Sequence, residues 1–300
     1  MSEKRRNPRV IPGFGLSLGY TMLYLSLIIL IPLSAIFVKS ASLTWDQFVT
    51  TVTRPAVMSA YLLSFSTSIV AAMVNLLIGL IVAWVLTRYR FFGRRFLDAI
   101  IDLPFALPTA VAGIALVTVY DKDVGWIGKL LAKTGFTMPW ISWVGFDHGK
   151  WPFGIEWFEG VARTPVGITL ALIFIGLPFV VRTIQPVLQD MGKEIEEAAE
   201  SLGASRWQTF RRVIFPELAP ALITGFALAL ARGLGEYGSI VFMSSNKLGM
   251  EIVPHRIIYE LEDNKYAEAT SIAVVMLVAS FVLLLGLNLT QRWFARKGQA

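Results

Sequence analysis

The amino-acid sequence predicts an all-α integral membrane protein with six transmembrane helices and both termini in the cytoplasm. Three observations carry that expectation. Hydrophobic residues make up 55% of the 300-residue chain and charged residues only 16%, where soluble domains average about 45–50% and about 25%. A soluble core of this size cannot enclose the surplus, so it faces lipid. The apolar residues are also gathered into charge-poor runs of the length that crosses a bilayer as a helix, about 18 residues or more. Finally, lysine and arginine are unevenly shared: with the N-terminus inside, the inner segments carry 16 and the outer segments 10, as the positive-inside rule requires.

The spans follow in order as 16–38, 61–87, 99–120, 165–182, 219–243 and 268–291, within one membrane domain covering 1–300. Lys4, Arg5, Arg6 and Arg9 precede the first run. That run is nearly twice the 7–15 residues of a secretory h-region, so an uncleaved first helix is expected. The second run is free of charge, and so is the sixth from Ala269 to Gln291. The third begins beside Asp102 and contains Pro104, Pro108 and Gly113. Those prolines remove backbone donors and restrict the residues before them. They imply either a packing kink or a broken helix, and the latter is tolerated at membrane depth only beside protein or a watery cavity.

The fifth run contains Arg232 and Glu236. An arginine at mid-bilayer costs roughly 2.5–3.5 kcal/mol unless it is paired or faces water. Counting from Pro220 at about 1.5 Å per residue places it about 18 Å in. Two readings are open: a buried ion pair, or a residue on an anion path or its gate. Thr109 and the Gly235–Ser239 stretch are the candidates for facing a central cavity.

Two segments outside the bilayer stand out. The outer segment 121–164 holds five of the nine tryptophans, with Trp126, Ile127, Leu130 and Leu131 at helical spacing. It suits an amphipathic helix and loop at the headgroup layer, or a docking surface for an extracytoplasmic partner. The inner segment 190–217 has Ile195, Ala198, Ala199 and Leu202 at i, i+3, i+4 and i+7, one stripe of a short helix. Four glutamates complement its positive N-terminal end. Gly203 stands where a residue of positive φ ends a helix. Ser205-x-x-Gln208 has the form of a capping box, opening a second helix whose apolar face runs through Trp207, Phe210 and Ile214 to Pro216. Two turns are not stable alone in water, so either the membrane surface receives the small-residue stripe or, as its small side chains and firm turn favour, a groove on another protein does.

Composition excludes other classes. The chain has no cysteine, and its two histidines, His148 and His255, lie far apart, which leaves no thiolate site and too little for a histidine metal site. There is no Gly-x-x-x-x-Gly-Lys-Ser/Thr to cradle ATP and no His-Glu-x-x-His. The net charge of +6 is dispersed through loops, which argues against nucleic-acid binding.

Glu197-Ala198-Ala199, three residues, Gly203, nine residues and Val213-x-Phe215-Pro216 resemble the EAA loop of permease subunits in bacterial ATP-binding-cassette importers. Asp102 to Gly113 and Leu234-Gly235-Glu236-Tyr237-Gly238 are similar to the sulfate and molybdate branch. Pro12-Gly13-Phe14-x-Leu16-Ser17-Leu18-Gly19 resembles the T-type subunits of sulfate/thiosulfate importers. Residues 141–163 lie outside the likeness. The resemblance implies a type I importer permease and a non-catalytic subunit with no cofactor of its own. Its partners would be a W-type permease, an ABC ATPase dimer holding ATP and magnesium, an extracytoplasmic sulfate-binding protein and membrane lipid. It further implies that Ile195, Glu197, Ala198, Ala199, Leu202, Gly203 and Pro216 couple to the ATPase. Asp102, Pro104, Pro108, Thr109, Arg232, Glu236 and Ser239 are the candidates for the path or gate. Molybdate or tungstate is the alternative cargo, and an ion-coupled secondary transporter is the rival mechanism.

Overall fold

Long apolar runs become helices because only a helix satisfies every backbone donor and acceptor within lipid. The computed structural model describes residues 14–135, 137–143, 153–244 and 250–297. Five helices are long and apolar enough to cross a membrane: α1 (Phe14–Ser40), α3 (Pro55–Arg88), α7 (Pro165–Asp190), α9 (Arg206–Leu234) and α12 (Tyr266–Lys297). A short α2 (Trp45–Val52) opens on a capping box between Thr44 and Gln47. The sixth crossing is a bent pair, α4 (Arg94–Ala106) and α5 (Thr109–Tyr120), which meet at 112°. The remaining helices are α6 (Trp126–Lys133), α8 (Glu194–Ser201), α10 (Ile240–Met243) and α11 (Val253–Glu262).

The bundle is built on α3, α7 and α9, which pack against one another, with α12 laid on α9 and α11. Ile168, Ile184, Leu188, Leu218, Leu230 and Ile272 are fully enclosed. Lipid tails are as apolar as leucine, so close approach at small residues replaces the hydrophobic drive between helices. Gly225 of α9, for example, lies against the Val180 backbone of α7. The first helix is different. No residue in its most apolar stretch is buried, and it touches the bundle through its second half on α12, where Ser40 and Ser271 share a hydrogen bond of 3.0 Å.

The largest departures from the sequence expectation fall in three spans. The third span is broken rather than kinked: Leu107 and Pro108 are extended, with ψ of 134° and 132°. Proline forces its predecessor out of the helical region, and Pro108 does so where Pro104, one turn earlier, is absorbed within α4. The fifth span ends at Leu234, followed by a turn through Gly235–Gly238 and the single turn of α10. At its other end it starts earlier, at Arg206. Pro216 does not stop it, because a π-helical turn at Phe210–Ile214 absorbs the missing donor. The fourth span runs past Pro186 to Asp190.

The outer segment contains α6, as the spacing of its apolar residues predicts, with Trp126 and Leu130 exposed. It also contains the one sheet among the described residues. Strands β1 (Thr137–Trp143) and β2 (Phe153–Glu159) pair antiparallel, Ile141 opposite Ile155. Aromatic and β-branched residues favour such pairing, and no helical stripe competes there. Phe136, Phe146 and Trp151, also expected in this aromatic surface, lie outside the described residues.

Candidate functional site: a lever and two broken spans

The inner segment forms as its local signals dictate. Glu194, Glu196 and Glu197 occupy the first turn of α8. Gly203 has φ +81°, and the Ala204 N–H donates to the Ala199 carbonyl at 3.0 Å, closing the helix end. The Ser205 N–H then donates to Gln208 Oε1 at 2.8 Å, and the Gln208 N–H to Ser205 Oγ at 3.4 Å. The apolar stripe faces away from the chain: Ile195, Glu197 and Ala198 are exposed, Ala199 is half-buried, and Leu202 is 89% exposed. Pro216 is exposed beyond the π turn.

This lever is held at its edges by the cytoplasmic end of α3. Arg88 pairs with Glu196 at 2.8 Å, donates to the Gly192 carbonyl at 3.1 Å and lies over the Trp84 ring. Trp84 meets Phe210 edge-on, and Trp207 stacks on Phe210. None of these anchors covers the Ile195–Leu202 stripe. From Arg206 the chain is helical without interruption to Leu234, about 42 Å at 1.5 Å per residue. One rod therefore joins the lever to the break in the fifth span.

At that break the two interrupted spans meet. A side chain on Gly113 of α5 would collide with the Ser239 backbone, and one on Gly238 with the Thr109 side chain. Helix α5 thus lies backbone to backbone on the 235–239 turn. Glu236 organises the turn: one carboxylate oxygen accepts from the Ser239 N–H (2.9 Å) and hydroxyl (3.0 Å), and the other pairs with Arg232 at 2.5 Å. Glu236 and Ser239 are enclosed, at 2% and 0% exposure. Pro108 and Gly235 are exposed at the junction, while Thr109 and Arg232 are half-buried.

Asp102, a candidate for the path, forms a clasp with α7. The Arg182 guanidinium of α7 donates to both its carboxylate oxygens (2.9 and 2.6 Å), to Asp98 Oδ1 (2.8 Å) and to Gln185 Oε1 (2.7 Å). Pro104 lies half-buried two residues beyond Asp102, and Phe105 packs edge-on against Phe179. The clasp ties the bent pair to the bundle. Arg182, Asp98, Arg88 and Glu196 were not singled out as site residues from the sequence. The signal was there for one pair: Asp98 and Asp102 are four apart, hence on one helix face, and Arg182 is the lone charge in α7 before Asp190. No cluster of three or more metal-ligating side chains occurs among the described residues.

Residues 75–298 match the family described as the binding-protein-dependent transport system inner membrane component. The chain belongs to that family. Among its relatives is the sulfate transport system permease protein CysT of Escherichia coli K12, 44% identical over 290 residues and 96% of each chain. The probable sulfate transport system permease protein CysT of Chlorella vulgaris is 49% identical over 243 residues, 80% of this chain and 82% of that one. In fold, this inner membrane component matches a chain of a bacterial ABC transporter for alginate import. The TM-score is 0.71 at 18% identity, covering 93% of this chain and 94% of the other. A chain of the inward-facing MetNI methionine transporter gives a TM-score of 0.56 at 14% identity, covering 84% and 99%. The family's type I importer permease fold is thus the fold of this chain, a multi-pass protein of the inner membrane.

Proposed function

We propose that the chain is the T-type permease subunit of an ATP-driven importer of sulfate or thiosulfate, with both termini in the cytoplasm. It is a non-catalytic subunit: a separate ABC ATPase dimer holds ATP and magnesium, and this chain receives the work. A W-type permease would complete the anion path, and an extracytoplasmic sulfate-binding protein would deliver the cargo. The relatives' sulfate transport names support the cargo. The observation that carries the mechanism is the exposed Ile195–Leu202 stripe on a capped lever that is continuous, through α9, with the junction of two broken spans.

Movement of the ATPase would displace α8 together with its Gly203 turn. Helix α9 is unbroken from Arg206 to Leu234, so the displacement would reach Arg232 and the Glu236-organised turn, on which α5 rests. The path would pass the exposed side of that junction, at Pro108, Thr109 and Gly235, with Glu236 and Ser239 holding the turn from behind. Energy is transmitted only to the extent that the nucleotide-bound ATPase favours one arrangement of this junction over the other.

The test uses the absence of native cysteine. Single cysteines at Ile195, Ala198 and Leu202 are expected to crosslink to a nucleotide-hydrolysing subunit, and a strain lacking the chain is expected to lose labelled sulfate uptake. Capture of lipid alone at all three positions would overturn the coupling reading. Uptake that follows an ion gradient and persists without any ATPase would establish the secondary-transport rival. Unlabelled molybdate competing better than sulfate would reassign the cargo.

A further inference from the structure

The cytoplasmic end of α3 borders a groove of about 610 Å³, whose walls include the lever anchors Trp84 and Phe210 but whose open side the transport reading does not use. Its walls are Leu80, Ile81, Trp84 and Val85 from α3 and Phe210 from the π turn, with Arg90 at the mouth. Tyr89 and Phe91 close the rim. The walls lie in the last two turns of an uninterrupted apolar helix, so they sit within the hydrocarbon layer. The rim falls in the Arg88–Arg95 loop, where arginines alternate with Tyr89, Phe91 and a fully exposed Phe92, the composition of a membrane–water boundary.

The charges around the mouth are one-sided. Arg90, Arg94 and Arg95 in the loop, and Arg211 and Arg212 beside Phe210, have no carboxylate within 4 Å among the described residues. Of the nearby acids, Glu196 is taken by Arg88 and Asp98 by Arg182, while Glu200 shares a second pocket with Trp84, Tyr89 and Phe210, beside Arg206. An occupant must therefore join an apolar body at membrane depth to an anionic group at the inner surface. A soluble ATPase cannot reach the walls, and a free anion would leave them empty.

We propose that this groove is a binding site for an anionic phospholipid of the inner leaflet, its acyl chain along Leu80–Val85 and its phosphate on Arg90. The site is specific in charge, since a basic residue at the surface favours an anionic headgroup by about five-fold, and the aromatic rim holds the glycerol region at interfacial depth.

Trp84 in the wall reports occupancy directly. The full chain, with its co-purifying subunits, is placed in nanodiscs of phosphatidylcholine containing graded amounts of acyl-brominated lipid. The Trp84 signal is the fluorescence of the native chain less that of Trp84→Phe. Brominated phosphatidylglycerol is expected to half-quench it at a mole fraction about five-fold lower than brominated phosphatidylcholine does. Arg90→Lys should keep that preference and Arg90→Gln remove it. Arg90 is exposed, so neither change threatens the fold. Equal quenching by the two lipids would reduce the site to ordinary lipid contact and overturn the proposal. Absence of quenching by either would mean that protein covers the groove, and a preference surviving Arg90→Gln would remove Arg90 from the site. None of these outcomes depends on sulfate uptake.

Discussion

The lever and the junction of the broken spans lie at opposite ends of α9 and are held in opposite ways. The lever is shaped by neighbours in sequence: its caps, its glycine turn and its acidic first turn all act within a few residues. Its apolar stripe is left uncovered. The junction is shaped by residues far apart in sequence, with Gly113 pressed on Ser239 and Thr109 on Gly238. Glu236 and Ser239 there are enclosed and bonded to each other. A surface made for a partner has to keep its form before the partner arrives, so local bonds suffice and tertiary cover would defeat it. A turn inside a membrane has no water to satisfy it, so side chains and packing must do so.

The largest expected effect that tests this contrast is on the junction. Arg232→Ala leaves the Glu236 carboxylate enclosed without its cation, a type of change that costs about 3–5 kcal/mol. Thermal melting of the purified variant should fall accordingly, with poor accumulation in membranes. A stable variant with altered anion preference would move Arg232 from the frame of the junction to the path. Gly203→Val comes next. A β-branched residue at φ +81° costs about 1–2 kcal/mol, so the chain should still insert while labelled sulfate uptake falls at least ten-fold; undiminished uptake would separate the turn from coupling. The smallest stability effect belongs to Leu202→Ser. This side chain is exposed, so melting should shift by no more than about 0.5 kcal/mol, yet crosslinking to the ATPase and uptake should both weaken. Equal loss of stability at Leu202 and Arg232 would abolish the distinction between the two regions.

The same contrast explains what was legible from residue order. Ile195, Ala198, Ala199 and Leu202 share a face whatever surrounds them, because 3.6 residues make a turn. Gly203 and the Ser205–Gln208 box signal their backbone state through local stereochemistry. Pro216 misled as a helix end because proline's effect depends on whether a π turn can absorb the lost donor. Pro104 and Pro108 carry the same chemistry with different outcomes: one sits in a helix and the other breaks it. Asp102 is a path candidate from the sequence, and only the approach of Arg182 shows that it also closes a clasp. Ser239 closes the Gly235–Ser239 stretch expected beside a cavity, and only the tertiary structure shows its hydroxyl donated to Glu236 in the interior.

Residue order by itself determined that this chain spans a membrane with long helices, and that an acidic, alanine-faced lever ends at Gly203. Both follow from periodicity, charge distribution and the conformational limits of single residues. The tertiary structure alone decided which breaks in the spans meet and which carboxylates are spent on arginines. It also decided which small residues admit a backbone. Those outcomes depend on distances between residues up to about a hundred or more positions apart, and no local preference encodes them.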